Sequence, residues 1–128
     1  MCFLFFAVTA FSQQETATSY GFIRGSLVRG KWDYSPVQKV KGIIDFKPGR
    51  ITVKDSSGTL KYRLLKDVVT KRMDEDSCIA SLRTAYDKDN IRCMINLVEF
   101  DNGTNVLNIM YANISYSYYF RRVEDRVE

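Results

Sequence analysis

Cys78 and Cys93, the acidic run Asp74-Glu75-Asp76, and the aromatic cluster Tyr111, Tyr116, Tyr118, Tyr119 and Phe120 are the residues whose types and spacing could do chemistry. None of them has an imidazole to work with, because the 128-residue chain contains no histidine. That excludes His general bases, His metal sites, His-based nucleophile triads and His pH switches. A catalytic cysteine without a neighbouring base or cation is a poor nucleophile. The acidic run lacks the alternating acids, central glycine and distal glutamate of a calcium loop. A hydrolase built on paired carboxylates stays open as a third class of function, although nothing singles out two acids. No cofactor and no metal site are expected.

Aromatic residues followed by Arg121 and Arg122 could stack nucleobases. The same residues are what a small barrel uses to fill its interior, and this is the reading adopted, with no nucleic-acid partner. Asn102-Gly103-Thr104 and Asn113-Ile114-Ser115 match the glycosylation sequon, but both also read as turns. The net charge of +4 is mild and falls short of the basic stripe of a nucleic-acid binder.

These groups need elements to position them. The first is an address and not a fold: residues 2–11 form an apolar run of signal-peptide length, too short to span a bilayer. Residues 1–12 are expected to be a signal peptide cut near Ser12, possessing no basic n-region, and the protein to be periplasmic or secreted. Residues 13–19 are small and polar and read as a flexible lead-in, and residues 20–128 as one β domain.

From Tyr20 onward the dominant period is two. Ile51 and Val53 alternate with Thr52 and Lys54, and Leu60, Tyr62 and Leu64 with Lys61 and Arg63. Cys78, Ala80, Leu82, Thr84 and Tyr86 form an apolar face, as do Ile91, Cys93, Ile95 and Leu97. Leu107, Ile109 and Tyr111, then Tyr116, Tyr118 and Phe120, close the series. Such alternation of β-branched and aromatic residues marks half-buried strands. Turns fall at Lys47–Arg50, Ser56–Gly58, Asp87–Asn90 and Ala112-Asn113. Asp101-Asn102-Gly103 predicts a type I′ hairpin turn, and residues 69–77 a charged loop. Short connections join antiparallel neighbours, so the fold expected is all-β, an antiparallel meander of seven or eight strands closing into a small barrel or sandwich.

With Tyr86 and Ile91 as partners across their loop, Thr84 lies opposite Cys93. Cys78 is then six residues further on, about 20 Å away. A disulfide needs Cα atoms within about 7 Å, so both cysteines, read as sharing the apolar face, are expected to be unpaired and buried.

Gly30-Lys31-Trp32 precedes the meander and holds the single tryptophan. A Gly-x-Trp at this place resembles the lipocalin and fatty-acid-binding barrel group. The resemblance implies a calycin-like barrel in which Arg121 or Arg122 packs over Trp32 as a cation–π plug at one end. An indole buried in this way would cost about 3–5 kcal/mol to remove.

The function expected is an exported, non-enzymatic binding protein. An open barrel would hold a small apolar ligand among Ile95, Leu97, Leu107, Ile109, Tyr111, Tyr116 and Tyr118. A filled barrel would instead hold an envelope protein or polymer on its surface, with Lys61 and Arg63 as contributors. No membrane span is expected, and the oligomeric state is left open.

Overall fold

The computed structural model describes residues 15–39, 41–56 and 58–121. Nine strands run in chain order: β1 (Glu15–Val28), β2 (Lys31–Tyr34), β3 (Gly42–Lys47), β4 (Arg50–Asp55), β5 (Gly58–Met73), β6 (Cys78–Asp87), β7 (Arg92–Phe100), β8 (Thr104–Met110) and β9 (Ile114–Arg121). Every pairing is antiparallel, and from β3 to β9 each strand pairs with the next. β9 returns to β1, which on its other side pairs with β3. Eight strands therefore close into a barrel. β2 is an extra strand, paired only with the end of β1 through Gly25↔Tyr34 and Leu27↔Trp32.

The barrel begins earlier than the sequence suggests. Glu15–Ser19 is not a lead-in, because it pairs with β3, and Ala17 and Ser19 point into the core. The Ser19 hydroxyl is satisfied by the backbone, accepting the Gly42 N–H at 3.0 Å. Residues 1–14, which hold the expected signal and the start of the lead-in, lie outside the described residues, as does Arg122.

Two irregularities shape the wall. Between β1 and β9 the register steps from Ser19↔Phe120 to Gly21↔Tyr119, so Tyr20 is an inserted residue and turns outward. Such a bulge reverses the alternation that follows it, which brings Phe22 to the interior. In β5 the register moves from Leu64↔Ala85 to Val68↔Arg83. Arg83 spans this break, its guanidinium donating to the Leu65 carbonyl from Nε at 3.0 Å and from Nη2 at 2.6 Å.

Four local expectations are corrected. β5 runs on to Met73, so the loop expected over residues 69–77 shrinks to the turn after it. At Asp101-Asn102-Gly103 only Gly103 has positive φ, at 90°, and its N–H bonds the Phe100 carbonyl. A type I′ turn needs two positive φ angles, so this is the longer hairpin loop with glycine in the left-handed position. At the β6–β7 loop Tyr86 pairs with Arg92, Ala85 with Cys93 and Thr84 with Met94. Asp87 causes the one-residue shift, since its Oδ1 accepts both the Asp89 and Ile91 N–H groups. The fourth is the orientation of β6. Ala85, Arg83 and Ser81 face inward, opposite Cys93, Ile95 and Leu97, and the Cys78–Tyr86 series faces outward.

The interior is filled. Ile44, Phe46, Ile51, Ile95, Leu97, Leu107, Ile109 and Phe120 are wholly buried in one continuous cluster. An eight-stranded barrel is about this narrow, its width taken up by its own side chains.

Candidate functional site

The core ends at one mouth of the barrel, where the β4–β5, β6–β7 and β8–β9 connections meet. The inward positions nearest this mouth are Leu60 and Tyr62 of β5, Asp87 of β6, Tyr111 just after β8, and Tyr116 and Tyr118 of β9. Phe22 reaches the same place from β1 because of the bulge at Tyr20. Phe22 lies nearly parallel to Tyr116, with ring centroids 6.1 Å apart, and 5.0 Å from the tilted ring of Tyr118. Tyr111 meets Tyr116 edge-on at 6.4 Å. Aromatic pairs favour such offset and edge arrangements, so the set is a packed rim.

Two open pockets adjoin on this rim. One, of about 380 Å³, lies among Leu60, Tyr62, Asp87, Tyr111 and Tyr116. The other, of about 490 Å³, lies among Phe22, Asp55, Leu60, Tyr116 and Tyr118. They share Leu60, Lys88 and Tyr116. Both volumes fall in the range of small-ligand sites.

The polar groups of the rim are organised around Asp87. Its Oδ2 accepts the Tyr111 hydroxyl at 2.8 Å, while its Oδ1 is held by the two loop N–H groups at 2.9 Å each. Partial burial pushes this carboxyl up, but the Ile91 N–H, the Tyr111 hydroxyl, the Asp89 N–H and the Lys88 charge together bring it below its ordinary range. Burial raises the Tyr62 and Tyr118 hydroxyls. Tyr111 is raised by burial and then by its bond to Asp87, so all three tyrosines are neutral donors at pH 7. Burial likewise pushes the Cys93 thiol up to about 11, with the Asp87 charge adding to the effect. A thiol held protonated is no nucleophile. Asp87 positions the loop and Tyr111 through the three hydrogen bonds it accepts.

The expected ligand-binding residues divide. Tyr111 and Tyr116 line the mouth, and Tyr118, only 2% exposed, forms part of its floor. Ile95, Leu97, Leu107 and Ile109 line neither of these two pockets; they belong to the buried cluster beneath. Phe22, Leu60, Tyr62, Asp87 and Lys88 are additional rim residues. Leu60 and Tyr62 carried a signal in their alternation, whereas Phe22 carried none because the bulge hides its parity.

The plug of Trp32 and Arg121 does not form. Leu27↔Trp32 and Thr18↔Arg121 place them nine positions apart along β1, about 30 Å at strand rise. Trp32 is 41% exposed and lies beside Tyr34, while Arg121 donates to the Asn102 carbonyl at 3.4 Å. Of the expected surface cations, Arg63 sits 5.1 Å from the centre of the Tyr86 ring and donates to Asn90. Lys61 borders the first pocket. Cys78 and Cys93 are both free and buried, but they face opposite sides of the sheet, since Ala85, seven residues from Cys78, is the one opposite Cys93.

Comparison with protein families, curated proteins and solved structures finds no match to this chain.

Proposed function

We propose that this protein is an exported, non-enzymatic binding protein that seats a small ligand with an apolar, ring-bearing body at the aromatic mouth of the barrel. The observation that carries the reading is the placement of Phe22, Tyr111 and Tyr116, half-buried around two adjoining pockets above the cluster of buried side chains. The side chain of Lys88, shared by both pockets, supplies a polar contact that would orient such a ligand. The up-and-down strand order, which is that of the lipocalin and fatty-acid-binding barrels, supports a binding role without specifying a ligand. Export is supported by the apolar run at residues 2–11. The alternative, a filled barrel that holds an envelope protein or polymer on its surface, draws support from the exposed pair Trp32 and Tyr34.

The test is a titration with the fluorescent probe 1-anilinonaphthalene-8-sulfonate, joined to native mass spectrometry of the protein purified from its own host. Saturable one-to-one binding that Leu60→Asp and Tyr116→Ala each remove is the expected result. Probe binding unchanged in both variants, or none in the parent, overturns the reading.

A further inference from the structure

β2 adds nothing to the closure of the barrel, yet it carries an ordered pair of exposed aromatic rings. Trp32 and Tyr34, two apart on a strand, share a face. Their planes differ by 18° and their centroids are 6.3 Å apart. Overlaid rings would sit at about 3.5–4 Å, so these near-parallel rings stand side by side without overlapping in contact. They remain 41% and 62% exposed.

The scaffold makes room for this arrangement. Gly25, the partner of Tyr34 on β1, has no side chain, and the Tyr34 ring occupies the space one would need. A methyl group at Gly25 would come within 2.9 Å of Tyr34 Cε1 and 2.5 Å of Ser115 Oγ. The outward row beside it is polar and uncharged. Ser115 faces Gly25 from β9, and Ser117, two residues on, donates to Asn108 of β8 at 2.7 Å, with Asn96 opposite Asn108 in β7. Arg29 sits in the turn of this hairpin and exposed Lys39 and Lys41 follow it, while Arg24, Lys31 and Asp33 lie on the opposite face of the two strands.

From this juxtaposition we propose that the Trp32–Tyr34 surface, seated over Gly25, is a binding platform for an acidic polysaccharide. Aromatic faces stack on the C–H face of a sugar ring, as they do on other flat apolar surfaces. The serine and asparagine row starts on β9, two strand spacings or about 10 Å from β2, runs on to Asn108 and Asn96 on β8 and β7, and offers donors and acceptors to sugar hydroxyls. Arg29 and the exposed Lys39 and Lys41 complement carboxylates along the polymer. This deepens the surface-binding alternative and is independent of the mouth, whose rim contains no tryptophan.

Because Trp32 is the only tryptophan of the chain, its fluorescence reports this site alone. The experiment titrates polygalacturonate at low salt, with dextran as the neutral polymer and oligothymidylate as the nucleic acid, reading Trp32 emission in the parent. Calorimetry compares the parent with Trp32→Ala, Tyr34→Ala, Gly25→Ala and Tyr116→Ala. Polygalacturonate is expected to shift Trp32 emission and to bind more weakly as salt rises. Trp32→Ala and Tyr34→Ala are each expected to weaken it by roughly tenfold. Gly25→Ala keeps both rings but displaces one, and is expected to weaken it as well. Tyr116→Ala is expected to leave polymer binding intact, which separates failure of this site from failure of the mouth. The proposal is overturned by parental affinity in Trp32→Ala, by equal or tighter binding of dextran or oligothymidylate, or by no binding of polygalacturonate.

Discussion

The Tyr111 hydroxyl donates a 2.8 Å hydrogen bond to the Asp87 carboxylate, tying the end of β8 to the end of β6 across the mouth of the barrel. The same carboxylate caps the β6–β7 loop through two N–H groups. One side chain therefore sets both the loop conformation and the position of a pocket-lining ring.

Asp87→Ala removes all three acceptor contacts and is expected to lower stability by about 1–3 kcal/mol, measured by urea unfolding at pH 7. The pH dependence has a definite sign. The folded protein holds this carboxyl below its ordinary value of 3.8, so its contribution is fully present above that value. The contribution is lost as pH falls through the folded value. The gap between parent and Asp87→Asn should be constant from pH 7 to about pH 5 and narrow in stronger acid. A gap that widens there contradicts the assignment.

Trp32 and Leu107 are both large apolar residues with opposite expected effects. Leu107→Ala hollows a wholly buried position and is expected to cost about 2–5 kcal/mol. Trp32→Ala removes an exposed ring and should change stability by less than about 1 kcal/mol. Thermal unfolding of the two variants side by side checks this.

Cys93 is buried with its thiol pushed up to about 11, and Cys78 is buried on the opposite face. Neither should be alkylated by iodoacetamide in the folded protein at pH 8, and both should react once it is unfolded in guanidinium. Peptide mapping of the labelled sites gives the answer, and rapid native labelling of Cys93 would contradict its burial.

Arg72 grips Asp101 with two 2.7 Å hydrogen bonds and reaches Asp74 at 3.1 Å, linking the β5–β6 hairpin to the β7–β8 loop. The pair is solvent-exposed, so its effect should be local and weakened by salt. In Arg72→Ala, hydrogen exchange should quicken at the hairpin tip and stay unchanged for the amides of Ile95 and Ile109. Faster exchange throughout the core would show that the clasp acts globally.

Most of the barrel was legible as period two, because Ile51 and Val53, Ile95 and Leu97, and Leu107 and Ile109 contrast sharply with their outward neighbours. Glu15–Ser19 escaped notice since Ala17 and Ser19 are small, and a narrow interior accepts small residues without the apolar contrast that marks a strand. The true orientation of β6 is hidden in its sequence for a related reason. Its inward face carries Arg83 and Asp87, which are tolerated because one binds the Leu65 carbonyl and the other sits at the mouth. The tyrosines of the mouth were visible as a cluster, but their division from the solid core depends on depth in the barrel, which alternation does not encode. Gly-x-Trp was equally silent about position along β1, and this is why Trp32 and Arg121 were brought together in reading and are far apart in space.

Closure of the ring depends on Thr18 meeting Arg121, residues about a hundred positions apart. Closing a contact this distant in sequence costs more chain entropy than forming the hairpins between β3 and β9. Until it closes β1 and β9 are two bare edges, and either could pair with the wrong chain. The interval between synthesis of the first strand and arrival of the last is when these edges are open to mispairing, and an escort that covers one of them would protect the chain during it.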